Sequence, residues 1–416
     1  MSFNTALSGL RAASQDLAVT GNNIANASTT GFKQSRTEFA DIYANSILGT
    51  GRKSAGNGVL VSNIAQQFAQ GNISPTDNSL DMAIDGGGYF ILNNGGSQAY
   101  TRAGAFGLDK EGYVIANNGG RLQGFGVNQS HQVVSGALTD LRIESQILAP
   151  SATTSVDLRF NLDSRVEVPS TTPFDVHDAN SYNWSTGVPV FDSLGNPHTV
   201  TLYFAKTSDP ILDADNNPVE GTRWEVYSDL NHSGVTQSLG QLDFDASGAL
   251  MAPTPAALSG TWGTPGGADD LDLTLHLQGS TQHGAEFVPS SLHSDGFPPG
   301  RLAGVDINER GIMFARYTNG QAQALGQVAL ADFANPQGLA PIGDTAWTET
   351  FDSGQPVVGV PQSASLGGIK ASALEDSNVD LSDQLVNLII AQRNFQASAK
   401  TIETQDTITQ AVLNLR

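Results

Sequence analysis

The chain has 416 residues, enough for two to four domains, with 15% charged residues and a formal net charge of −21. That acidity argues against nucleic acid or an anionic membrane as partner, since phosphates demand Lys and Arg. There is no cysteine, which removes disulfides and thiolate metal sites. No stretch approaches the eighteen or so apolar residues of a membrane span, and no Sec-type signal precedes the first helix.

Both ends read as amphipathic helix and everything between them as β-structure. Residues 1–30 carry Phe3, Leu7, Leu10, Leu17 and Ile24 at spacings of threes, fours and sevens, with Ser14 and Gly21 filling the gaps in the rhythm. Residues 378–416 carry Leu381, Leu385, Leu388, Phe395, Ala399, Ile402, Thr409 and Val412 in the same way. A narrow stripe with a period near 3.5 residues is a seam for other helices. Either the two stripes cover each other or they need other molecules.

Ser2 can cap the first helix, and the Asn- and Ser-rich run after Gly21 ends it. Thr37–Ile47 reads as a short helix and Gly49–Gly58 as a loop. From residue 71 the period falls to two. Turn signals at Asn93-Asn-Gly-Gly, Asp109-Lys-Glu-Gly and Asn117-Asn-Gly-Gly separate strands at 99–107, 112–116 and 121–127. Between about 146 and 297 Pro, Thr and Asp rise, and Val156–Leu162, Thr199–Phe204, Arg223–Tyr227 and Leu271–Leu277 read as strands of a second, inserted β-domain. After 298 the first style returns, with the hairpin signal Asn319-Gly320. Ser377-Asn-Val-Asp380 fits a capping box that opens the last helix, and Arg416 suits that helix's C-terminal dipole.

The reading is an α+β chain, mostly β. Residues 1–30 plus 378–416 form a coiled-coil-like helical assembly domain, and 31–70 plus 359–377 form a connecting segment. Residues 71–145 plus 298–358 form a β-rich domain, with 146–297 as the insert.

Fragments that invite catalytic readings do not hold. Gly51-Arg-Lys-Ser54 lacks the glycines of a phosphate-binding loop, since Arg52 and Ile47 stand in their places. Gly124-Phe-Gly126 lacks the third glycine of a dinucleotide fingerprint. Asp213-Ala-Asp-Asn-Asn-Pro218 starts like a calcium loop but has Pro218 at the sharp turn and Trp224 where a bidentate Glu belongs. The seven histidines are scattered without metal-ligand spacing. No catalytic, metal or cofactor site is expected, and the chain leans structural.

Asn23, Ile24, Ala25 and Asn26, followed by Ala-Ser-Thr and then Thr30, Gly31, Phe32 and Lys33, resemble the N-terminal signature of the bacterial flagellar rod and hook proteins. Ser377-Asn-Val-Asp-Leu-Ser382 and Ile390-Ala-Gln-Arg-Asn-Phe-Gln-Ala-Ser-Ala-Lys400 resemble their terminal helix. Asp81-Met-Ala-Ile-Asp-Gly-Gly-Gly-Tyr-Phe90, Tyr100-Thr-Arg-Ala-Gly-Ala-Phe106 and the stretch Leu325–Pro336 agree with their middle. The inserted β-domain sets the chain with the hook members rather than the shorter distal rod members.

The resemblance implies an exported, self-assembling subunit of a curved helical tube that carries torque from rod to filament. Its terminal helices would line the tube and its β-domains would form outer layers that slide through polar contacts. It also implies a homopolymer, export by the flagellar apparatus without signal cleavage, and contacts with distal rod, hook–filament junction and hook cap proteins. Helix formation alone is marginal, so the termini are expected to be disordered in the monomer and to fold on assembly. The alternatives are a distal rod subunit, or an exported β-rich binding module with calcium at Asp213–Asn217.

Overall fold

A computed structural model describes residues 3–42, 58–128, 130–144, 146–208, 211–212, 218–264 and 266–414. The cap at Ser2, the fragment at residues 51–54, the calcium-like run at 213–217 and Arg416 lie outside those residues. Contacts divide the chain into two compact units. The first takes Met1–Ser145, Gly304–Arg316 and Ala322–Arg416, and the second takes Gln146–Ala303 with Tyr317–Gln321.

In the first unit, helix α1 spans Phe3–Ala25 and helix α2 spans Leu381–Asn414. They pack against each other and run antiparallel: Asn23 reaches Gln384, and Gly9 abuts Ser398. A Cβ added at Gly9 would stand 3.1 Å from the Ser398 hydroxyl oxygen, so this glycine sets how closely the helices approach. The deepest residues of α1 are small or polar: Ala6, Ala12, Ala13, Val19, Thr20 and Asn23. In α2 the inward positions are Gln384, Leu388, Ala391, Phe395, Ser398 and Ile402, a repeat of fours and threes. With 34 residues against 23, α2 outruns its partner, and the described side chains from Asp406 to Ala411 are exposed.

Strand β1 (Ser35–Asp41) and strand β2 (Val59–Gln66) form an antiparallel hairpin that packs on α1. This corrects the helix expected over Thr37–Ile47, of which residues 43–47 lie outside the described part. Pairing with the β-branched run Val59–Ile64 overrides the weak local helix preference.

The start of α2 is also corrected. The cap is Asp380, whose carboxylate accepts the amides of Ser382 (2.8 Å) and Asp383 (3.2 Å). Ser377 instead accepts the Val379 amide at 3.3 Å, so the helix begins three residues later than its sequence signal suggests.

The body of the first unit is a 13-stranded sheet assembly whose core includes Tyr89, Ile91, Tyr100, Phe125, Phe333 and Trp347. Tyr89, Tyr100, Phe68, Phe333 and Trp347 meet edge to face, with ring centroids 4.8–6.1 Å apart. The strand expected over 99–107 is broken at Arg102–Ala105. A Cβ on Gly104 would overlap the Met82 carbonyl oxygen at 1.6 Å, and the Gly104 carbonyl accepts the Met82 amide at 2.9 Å, so only glycine lets the two backbones come this close.

The second unit is a β-sandwich of two five-stranded sheets. One is a meander in sequence order from Trp184 to Ala252, and the other is built around Ser155–Asp163. Alternating side chains from both fill one core that includes Val156, Leu158, Phe160, Phe204, Trp224, Phe244 and Leu273.

Candidate assembly surface and the junction beneath it

The residues marked by the stripes fall into two groups. Leu388, Phe395 and Ile402 turn half-buried toward α1, as does Ser398, with Ala391 fully buried between them. Leu381 and Leu385, together with Val386, Ile389 and Ile390, which the stripe did not mark, are 46–56% exposed. At 3.6 residues per turn Val386 and Ile389 lie opposite the seam, Leu385 and Ile390 lie on its two flanks, and Leu381 borders it. The first three turns of α2 are thus apolar on opposite faces, and α1 covers only one.

In α1, Leu7, Leu10, Leu17 and Ile24 are half-buried on its flanks, Phe3 is 52% exposed, and Ser14 and Gly21 face outward. The side chain of Val412 lies outside the described part.

The signature residues Asn23–Lys33 instead build the junction between the helix pair and the sheet body. Asn23 clamps the start of β1, accepting the Ser35 amide at 2.9 Å and donating to its carbonyl at 2.8 Å. Past the end of the helix at Ala25, Asn26 accepts a bond from the Thr29 hydroxyl. Gly31 has φ +69°, and a Cβ there would lie 2.5 Å from the Ala103 nitrogen, so only glycine lets the loop press on the sheet body.

Lys33 is fully buried. Its ammonium contacts Glu375 and donates to the Ala69 carbonyl at 2.8 Å. The other oxygen of Glu375 takes Arg102 at 3.1 Å, and Arg102 also donates to the Gly86 carbonyl at 2.8 Å. Burial pulls the Lys33 ammonium below the ordinary lysine range, against the opposing pull of Glu375. Asn378 adds a second tie, accepting the Gln34 amide and donating to the carbonyls of Gln67 and Ala69. Sequence reasoning singled out Lys33 and placed Arg102 in a motif, but gave no role to Glu375.

Elsewhere on the sheet body Phe351 is 100% exposed on the loop after Glu349. That loop is held by bonds from the Thr350 hydroxyl to the Gly338 carbonyl and from the Asn335 side-chain NH2 to the Asp352 carbonyl. A cleft of about 780 Å³ in this unit is lined mostly by neutral side chains such as Asn22, Asn26, Thr29, Asn117 and Trp347. Among the described residues no His, Asp and Glu cluster could hold a metal ion, and no helix is long and apolar enough to cross a membrane.

Comparison with known proteins agrees with this architecture. Family models match residues 3–33 (flagella basal body rod protein), 83–161 (flagellar hook protein FlgE/F/G D1 domain), 161–297 (flagellar basal body protein FlaE D2 domain) and 370–415 (flagellar basal body rod FlgEFG protein C-terminal). The chain is 38% identical over 423 residues to the flagellar hook protein FlgE of Escherichia coli (strain K12), covering all of both chains. It is 32% identical over 441 residues to the hook protein of Borreliella burgdorferi, covering all of this chain and 99% of that one. The crystal structure of Helicobacter pylori flagellar hook protein FlgE2 shares the fold, with a TM-score of 0.54 at 16% identity over 73% of this chain and 100% of that one. A mostly β chain, closed by paired terminal helices and related along its full length to hook proteins, belongs to the flagellar hook protein family.

Proposed function

We infer that this chain is the structural subunit of a flagellar hook, a curved helical tube that carries motor torque from rod to filament and bends as it turns. The family is structural and its place is the extracellular flagellar hook. The observation that carries the polymeric reading is the second apolar face of α2. Leu381, Leu385, Val386, Ile389 and Ile390 stand about half exposed on a helix whose other face is already paired. Burying what remains exposed of five such side chains is worth on the order of 5 kcal/mol per subunit before ordering costs. Neighbouring copies would supply the cover, with Phe3 and the overhanging end of α2 adding to the same layer. The stripe residues Leu7, Leu10, Leu17, Ile24, Leu388, Phe395, Ile402 and Val412 would then join packing within and between subunits.

The helix pair alone is thinly held, because its seam is mostly small residues. That supports termini that are loosely folded in the monomer and ordered by assembly. Export would occur without signal cleavage, and the tube would meet distal rod, junction and cap proteins at its ends. The test is to sediment and image the purified full chain beside a version lacking residues 378–416. The reading expects tubes from the full chain alone; monomers from both contradict it. Mass spectrometry of secreted subunit checks export: loss of an N-terminal peptide would contradict the uncleaved route.

A further inference from the structure

Three stretches of backbone cross between the helix pair with its β1–β2 hairpin and the sheet body: residues 26–34, 67–72 and 372–380. One side chain holds all of them. Glu375 sits on the third stretch; it takes Lys33 from the first and the Gly71 amide from the second, at 2.9 Å. Its other oxygen takes Arg102, which is anchored in the sheet body by the Gly86 carbonyl. Its own carbonyl accepts the Gly31 amide at 2.8 Å. Both partners of the Lys33–Glu375 pair have fully buried side chains, and Arg102 is nearly so.

We propose that Glu375 is the clasp that makes the helix pair and the sheet body of each subunit one rigid piece, a positioning residue that fixes the angle at which the helices leave the body. Two cations share this single carboxylate. Neutralising it leaves Lys33 and Arg102 buried beside each other without a counter-charge, which is far more disruptive than losing a surface pair. The other bonds across the junction are neutral: those of Asn378 and the Gly31 amide lie within the crossing segments, and Gln66 at the end of β2 takes the Gln337 side chain on its carbonyl and the Trp347 indole on its side chain. With the clasp open these segments become a hinge. For a subunit that transmits load from a helical core to its β-body, a hinge there softens the whole tube. That consequence rests on the hook reading, whereas the clasp itself does not.

The test is native-state amide exchange on the full monomeric chain with Glu375→Gln. The amides of Gly31, Gln34 and Asp376 keep their own acceptors in this variant, namely the Glu375 carbonyl, Asn378 and the Asn72 carbonyl. We expect them to exchange about a hundredfold faster together, while buried sheet amides at Leu92 and Tyr100 stay within about threefold. Faster exchange at Gly71 alone makes Glu375 a local acceptor and overturns the proposal. Equal acceleration of the sheet amides makes it an ordinary core contact and also overturns it.

If Glu375→Gln does not fold, Lys33→Met serves as the second variant. It leaves the Arg102 pair intact and should raise junction exchange by about tenfold with the sheet unchanged, and unaltered junction exchange refutes the clasp. Polymers of Glu375→Gln subunits should bend more freely than those of the parent chain. A junction that loosens without any polymer forming would instead count against the hook reading alone.

Discussion

Gly31→Ala probes how tightly the signature loop is pressed on the sheet body. The substitution has two separable penalties. An L-residue at φ +69° is disfavoured by about 1–2 kcal/mol. The added methyl would lie 2.5 Å from the Ala103 nitrogen and 2.7 Å from the Arg102 carbonyl carbon. These are backbone atoms that cannot rotate away, so overpacking adds about 1–3 kcal/mol. Gly95→Ala is the matched control. Gly95 has φ +64° on a hairpin turn, and a Cβ there meets nothing within 4 Å. It should lose only the dihedral part, about 1 kcal/mol. Because the chain has two units, a single melting curve is not a two-state measurement. Local stabilities from native-state amide exchange, read at Phe32 and Gln34, therefore serve as the assay. The expected result is a loss at the junction of about 2–5 kcal/mol for Gly31→Ala, and less than about 0.5 kcal/mol there for Gly95→Ala. Equal junction losses, or a Gly31→Ala chain as stable as the parent, would refute the close-approach reasoning.

Two further outcomes follow from single side chains. In the inserted unit Asp192 is buried and accepts bonds from the Asn196 side chain and amide, the Leu194 amide and His198. Burial opposes its charge, yet those bonds prevail and bring Asp192 down to about 2. A carboxylate lowered on folding stabilises above its unfolded pKa, near 4, and that contribution is lost as pH falls toward about 2. Asp192→Asn should therefore flatten the acid limb of this unit's stability between those values, and an unchanged acid limb in a pH-resolved melt would contradict it. Phe351→Ser, on the exposed loop of the sheet body, should leave subunit stability within about 0.5 kcal/mol of the parent. It should slow polymer growth in a light-scattering assay, and a lowered melting temperature would show that the ring packs within the subunit.

The helical ends were legible because a period near 3.5 residues survives any partner. Which side of each stripe meets the other helix was not. The seam of α1 runs through Ala6, Ala13, Thr20 and Asn23 rather than along its leucines, because small residues permit the close antiparallel approach at Gly9. Residues 37–47 read as a short helix, and only the partner strand at Val59–Gln66 makes residues 37–41 part of a strand. Tertiary pairing of that kind leaves no local trace. The capping signal at Ser377 misled because Asp380 offers a stronger acceptor three residues later. Glu375 was invisible as a functional residue. It stands 342 residues from Lys33 and 273 from Arg102, and no spacing rule reaches across such distances. Asp376 follows Glu375 at once and Lys370 stands just upstream, so no local charge pattern set Glu375 apart.

The central claim is that the outward face of α2 drives assembly. The most direct measurement is the critical concentration for polymerisation of the full chain against Val386→Ser/Ile390→Ser, by sedimentation. Both side chains are about half exposed in the subunit, so the monomer should keep its helix content and sheet exchange. Their loss should remove about 2–3 kcal/mol of burial per added subunit, raising the critical concentration roughly 30- to 150-fold. A variant that polymerises at the parent's concentration, into the same tubes, would contradict the account.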